Sequence, residues 1–143
     1  MQRLRGVSQE LVMVVQRAIQ ITDVDFGVVE GVRSVERQRE LVAKGASQTM
    51  KSKHLVGEAV DLVAYIGPRI SWELALYDEI AEAMRAAANN INVSIRWGAA
   101  WHIRNICEYA GTTEQAMTDY IDYRRMQGRR PFIDAPHFEL SEP

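Results

Sequence analysis

The chain has 143 residues, 47% of them hydrophobic and 25% charged, which suits one folded domain with a real core and excludes disordered, collagen-like and coiled-coil sequences. Seventeen Lys and Arg stand against 19 Asp and Glu, and the net charge of −2 gives no general attraction to nucleic acid or to an acidic membrane surface. A lone Cys107 excludes an intrachain disulfide and a multi-cysteine zinc site, and reads as a small buried hydrophobe. No stretch approaches the ~18 apolar residues of a membrane span. The basic start Arg3-Leu4-Arg5 is followed by no apolar h-region, so the expectation is synthesis and initial retention in the cytoplasm.

In chain order, Ser8 is placed to cap a helix whose apolar face is Leu11, Val14, Val15, Ala18 and Ile19. Residues 26–29 read as a short buried strand ended at Gly31, and Ser34 as the cap of a second helix that stops at Gly45. Residues 46–58 carry no periodic pattern and are small and polar, as in a functional loop. Residues 59–65 form the next strand, and Gly67-Pro68 a turn. Ser71 with Glu73 opens the longest helix, with Trp72, Leu76, Ile80, Ala83, Met84 and Ala87 on one stripe, ending near Asn89-Asn90. A strand over 93–97 stops at Gly98. Thr112 and Gln115 make a capping box for a helix containing Met117, Tyr120 and Ile121, broken by Arg129-Arg130-Pro131. Phe138-Glu139-Leu140 is a final strand. These elements predict a single α+β domain over 1–143, with helices flanking a small antiparallel sheet and no second domain.

Asp61 is out of place within that pattern. A carboxylate inside an apolar strand is costly unless it is paired or binds a metal. His54 precedes it by seven residues, in a loop that ends at Gly57, and an imidazole nitrogen with a carboxylate oxygen suits zinc. His137, stiffened by Pro136, is the candidate third ligand. Asp134 lies three residues upstream, where a carboxylate can serve as general acid and base beside an open coordination position. Taken singly, each residue has a plainer reading: Asp61 an arginine partner, His54 a loop histidine, His137 a hydrogen-bonded strand residue.

Together they carry a family resemblance. Ser52-Lys53-His54-Leu55-Val56-Gly57-Glu58-Ala59-Val60-Asp61 is similar to the S-x-H-x-x-G-x-A-x-D signature of the zinc peptidases related to D-Ala-D-Ala carboxypeptidases (VanY-like). Asp134-Ala135-Pro136-His137-Phe138-Glu139 resembles their second motif, an acidic residue three before a His that is followed two later by Glu. The nearest branch in size and organisation is that of the phage endolysins that are L-alanyl-D-glutamate peptidases, and the resemblance runs from about Asp25 to Leu140. It implies the fold shared by D-Ala-D-Ala peptidases and hedgehog-type domains, and one zinc ion per chain held by His54, Asp61 and His137. Asp134 would be the catalytic base. Arg33, in Gly31-Val32-Arg33-Ser34-Val35-Glu36-Arg37-Gln38, would stabilise the developing oxyanion. Gln38 would line the cleft, Ser52 would hydrogen-bond substrate, and Glu139 would orient a zinc ligand from behind.

One segment departs from the family pattern. Trp97-Gly98-Ala99-Ala100-Trp101 has Ala100 where relatives carry Asp or Asn, which shifts any orienting work elsewhere, with His102 as the candidate. Trp97 and Trp101 are expected either as a cleft wall or as core. Arg124, Arg125, Arg129 and Arg130 read as a solvated helix end, or as an attachment surface for an anionic cell wall.

The resulting expectation is a monomeric zinc endopeptidase that cuts the L-Ala–D-Glu bond of peptidoglycan stems for phage lysis, reaching the wall after a holin opens the inner membrane. A D,D-carboxypeptidase or dipeptidase acting on D-Ala-D-Ala is the second reading. A non-catalytic zinc-stabilised binding module is the third.

Overall fold

The computed structural model describes residues 2–141. Met1, Glu142 and Pro143, which the 1–143 domain assignment includes, lie outside the described residues. The elements are α1 (Gln9–Ile21), β1 (Phe26–Glu30), α2 (Val35–Ala43), β2 (Ala59–Ile66), β3 (Arg69–Ser71), α3 (Leu74–Asn90), β4 (Ile95–Trp97), α4 (Thr113–Met126) and β5 (His137–Leu140). Single 3-10 turns cover Gln2–Leu4, Lys53–Val56 and Ile106–Glu108. The expected α+β architecture is the one observed: every strand pairing is antiparallel, in a five-stranded sheet ordered β1-β2-β5-β4 with β3 also on β2.

β2 organises the molecule. Its Val60, Leu62 and Ala64 alternate onto one face and join the core with Leu11, Val14, Val15 and Ala18 of α1 and Ile80, Met84 and Ala87 of α3. Trp97 and Phe138 stack in the same core, with ring centroids 6.3 Å apart. The period-2 alternation therefore turns Asp61 to the opposite face of the sheet. There its direct cross-strand partners are Glu30 of β1 and His137 of β5.

Several local expectations are corrected. Ser8 occupies the cap position of α1, but its side chain makes no capping bond; its backbone N–H donates to Gly57 O at 2.7 Å instead. Ser71 does not open α3. It belongs to β3, a strand that the sequence pattern did not mark, and its carbonyl accepts from the Tyr77 hydroxyl at 2.7 Å. α3 starts three residues later, and Trp72 is 65% exposed, lying over the Tyr77 ring rather than on the buried stripe. Ile19 is exposed at the edge of the α1 face. β4 starts at Ile95 rather than Val93. α4 ends at Met126, before Arg129, because the chain turns out of the helix through Gly128 at φ +70°. The capping box fares better: Thr112 and Gln115 exchange both bonds, at 3.1 and 2.8 Å.

Asp78, on α3 beside the start of α4, is pushed up to about 6 from its ordinary 3.8 by partial burial and by the charges of Glu114, Glu79 and Glu82. One of its carboxylate oxygens is buried without a partner among the described residues. A carboxyl raised on folding contributes stability at low pH that is lost as pH rises, here across about pH 4 to 6. Asp78→Asn is therefore expected to raise Tm relative to the parent by a few degrees at pH 7.5 and by nothing at pH 4, read by thermal denaturation at both pH values.

Candidate metal centre

The S-x-H-x-x-G-x-A-x-D segment becomes a bent loop followed by the start of β2. Ser52 Oγ accepts from the His54 N–H at 3.2 Å and caps the 3-10 turn that carries His54. Gly57 ends that turn at φ +73°, and a Cβ there would strike the Gly6 carbonyl oxygen, so glycine is required on both counts. His54 is buried, with Nδ1 2.7 Å from Gly31 O. A carbonyl only accepts, so Nδ1 carries the proton and Nε2 presents its lone pair. Nε2 lies 3.2 Å from Asp61 Oδ1.

His137 reaches the same oxygen from β5. Its Nδ1 is 3.4 Å from Asp61 Oδ1, and its Nε2 is 2.8 Å from Glu139 Oε1. Glu139 thus stands where a ligand's outer partner belongs, and Lys53 Nζ is 3.7 Å from its other oxygen. Gly98 makes the approach of this segment possible. A Cβ at Gly98 would strike the Asp134 carbonyl and lie 2.9 Å from His137 Cβ. Asp134 N donates to Gly98 O at 2.8 Å, and His137 N to Asp134 O at 3.0 Å.

His54 Nε2, His137 Nδ1 and Asp61 Oδ1 fit a metal ion. Zinc bonds of about 2.0–2.2 Å at the tetrahedral angle put neighbouring ligand atoms roughly 3.3–3.6 Å apart. The observed 3.2 and 3.4 Å sit at that spacing, and one ligand atom from each of the three residues lies within 4.8 Å of the others. Both imidazoles have their far nitrogen held by an acceptor, the arrangement that orients histidine ligands. Burial would raise the Asp61 pKa, but the adjoining His137 and His54 rings hold it well below the carboxylate range. Burial would lower the His137 pKa, but bonds to Asp61 and Glu139 push it up to about 9. Buried imidazole nitrogens gathered around one carboxylate oxygen are a donor set that suits a cation.

Arg33 is 7% exposed by side chain and holds the other oxygen of Asp61, with Nη2 3.2 Å from Oδ2. Its Nε and Nη2 also clamp Glu30, at 2.8 and 3.0 Å, and Nη1 donates to Gln38 Oε1 at 2.7 Å. Four of its five N–H groups are thus committed, which fixes the guanidinium beside the ligand carboxylate. Gln38 does not line the cleft. It is fully buried beneath Arg33, and its Nε2 donates to Ser47 Oγ and Thr49 O, tying the 46–53 loop to α2.

The cleft over this centre measures ≈ 570 Å³, and Arg33, Ser52, His54, Asp61, Trp101, Arg124, Asp134 and His137 are on its lining. Asp134 makes no side-chain hydrogen bond or ion pair among the described residues. Burial, then the charge of Asp61, raises its pKa against the opposing pull of His137, His54 and Arg33. Trp101 forms part of the cleft wall, its ring 5.2 Å from that of His137. Trp97 is core, with Nε1 on Ala135 O at 2.8 Å. Ala100 is fully buried, and His102 does not reach the cleft: it stacks between Tyr120 and Tyr123, at 5.7 and 5.6 Å. Glu30, the Gly31 carbonyl and Tyr120 were not marked by the sequence pattern. Glu30 reaches the site through an irregularity in the β1–β2 register that no residue spacing announces.

The family model described as phage L-alanyl-D-glutamate peptidase matches residues 1–141. The chain belongs to this family. The L-alanyl-D-glutamate peptidase of Escherichia phage T5 is 32% identical over 142 residues, covering 96% of this chain and 91% of the relative. That of Listeria phage A118 is 35% identical over 74 residues, which is 52% of this chain and 25% of the longer relative. Among solved structures, the Serratia marcescens L-Ala D-Glu endopeptidase ChiX superposes with a TM-score of 0.73 at 36% identity, covering 98% of this chain and 84% of that one. The vancomycin-resistance D,D-dipeptidase VanXYg shares the fold at a TM-score of 0.50 and 18% identity, over 96% of this chain and 51% of that one. Among the described residues of this family member, no helix is long and apolar enough to cross a membrane.

Proposed function

We propose that the chain is a zinc-dependent endopeptidase of phage lysis that hydrolyses the L-Ala–D-Glu bond in peptidoglycan stem peptides. The observation that carries this reading is the His54–Asp61–His137 ligand set, with His54 Nε2 3.2 Å and His137 Nδ1 3.4 Å from Asp61 Oδ1, and the Asp134 carboxylate, unpartnered among the described residues, in the same cleft. His54 Nε2, Asp61 Oδ1 and His137 Nδ1 would hold one zinc ion. When bound, zinc supplies Lewis acidity, polarising the scissile carbonyl and lowering the pKa of water.

The chain's own residues do the rest. Asp134 takes a proton from the attacking water as its oxygen bonds to the carbonyl carbon. The C–N bond then breaks, and Asp134 returns the proton to the departing amine. A carboxylate with a raised pKa suits both halves of that cycle. Arg33 fixes Asp61 through Oδ2 and leaves one Nη1 hydrogen and a permanent charge for the developing oxyanion. Ser52 already accepts from His54 N–H, so its hydroxyl proton remains to donate to substrate. Gln38 holds Arg33 and the loop in register from below. Glu139 orients His137. We further propose that residues 1–143 act as one catalytic domain, as a monomer, on the wall that a holin exposes.

Mass spectrometry of purified Gram-negative peptidoglycan digested with the protein tests this reading. The expected product carries a new amino group on D-Glu and leaves L-Ala on the muramic acid, and a chelator abolishes it. Released D-Ala would replace this reading with the D,D-carboxypeptidase one. An absence of any product from zinc-loaded protein would favour a binding module.

A further inference from the structure

The cations lining the cleft are not equivalent. Arg33 is paired with Glu30 and Asp61, and Lys53 with Glu139 and the Leu140 carbonyl. Lys51 and Arg124 also line the cleft, and neither pairs with a carboxylate among the described residues. Lys51 stands exposed on the 46–53 loop. Arg124, in the last turn of α4, is half-buried and pinned: Nε and Nη2 both donate to the Arg130 carbonyl, at 3.0 and 2.8 Å, leaving Nη1 uncommitted. One turn earlier, the Tyr120 hydroxyl accepts from Phe132 N at 3.1 Å and donates to Phe132 O at 3.3 Å. Tyr120, Arg124, Phe132 and Asp134 thus form one stapled wall of the cleft. The solvated helix end expected for this arginine cluster does not describe Arg124.

We propose that Arg124 is a specificity-determining residue that binds the free carboxylate of the glutamate on the amine side of the scissile bond. The inference rests on the peptidase reading and names what that reading lacks, a receptor for substrate charge. A glutamate residue that passes the chain on through one carboxyl keeps the other ionised, only a few bonds from the scissile nitrogen. The cleft already holds Glu30, Asp61, Asp134 and Glu139, so a further anion entering it requires a cation not already neutralised. Arg124 meets that need with a permanent charge whose side-chain freedom is already spent on Arg130. Lys51 adds a second, mobile charge from the loop.

Two synthetic stem peptides differing only in that carboxylate, free D-glutamate against its α-amide, provide the test. The wild type is expected to prefer the free acid. Arg124→Gln is expected to lower kcat/KM on the free acid about tenfold or more, the scale of a hydrogen bond to a charged group, and to change the amide less than about threefold. Arg124→Lys keeps the charge and is expected to recover part of the preference, which controls for damage to the wall. Equal losses on both peptides, or a wild type indifferent to the amide, would overturn the proposal while leaving the peptidase reading intact. A zinc-loaded wild type that cleaves neither peptide would remove both.

Discussion

Asp134→Asn is expected to lower kcat by about 10²–10⁴-fold, the range for loss of a positioned general base and acid, while zinc content stays at the parent's value and Tm does not fall. The structure gives the reason for the separation. Asp134's backbone, not its side chain, makes the bonds that hold the segment: its N–H donates to Gly98 and its carbonyl accepts from His137. Its carboxylate lines the cleft without a partner among the described residues. Asparagine preserves the shape and removes only the proton acceptor. Steady-state turnover on a stem peptide, with metal analysis of the same preparation, reads the outcome. Turnover within about threefold of the parent would exclude Asp134 as the base, and loss of bound zinc would recast it as a ligand or a positioning residue.

The second large effect is on the metal itself. Asp61→Ala is expected to abolish stoichiometric zinc binding and all turnover. Asp61 Oδ1 is the atom both histidines face, and its loss also takes from Arg33 one of its two carboxylate partners. Because that variant loses an ion pair inside the sheet, it is expected to fold less stably as well. Glu139→Gln is the companion that separates the two effects. It keeps an acceptor near His137 Nε2 without the charge, and is expected to weaken zinc affinity about 10–100-fold with the fold intact. Competition with a chromophoric chelator measures both. Stoichiometric tight zinc in Asp61→Ala would displace the ligand assignment.

Where the sequence was informative, the physics was local or the spacing was specific. The apolar face of α1 apart from Ile19, the Ser34 cap, the Thr112–Gln115 capping box and the alternation through β2 depend on residues within a few positions of one another, and all four stand in the structure. The three candidate ligands were legible because a carboxylate in an apolar strand is costly and His54 and His137 supply the matching donors. The opening of α3 was misread because Ser71 and Glu73 form a good local cap pattern. The pairing of Arg69–Ser71 with β2 won, a long-range hydrogen-bonding gain that no window of neighbouring residues contains.

The residue types and spacing in the chain determined the family, the α+β class and the candidate ligands. Only the tertiary structure decided which atoms meet. Asp61 faces His137 and Glu30 because antiparallel register sets them opposite it. Gln38 sits under Arg33 rather than on the cleft, and Arg124 turns to the cleft wall through the Arg130 carbonyl. The Asp61 pairings join residues far apart in the chain; the other two join near neighbours whose placement depends on packing, and sequence periodicity carries which face a residue takes but not what another element brings against it.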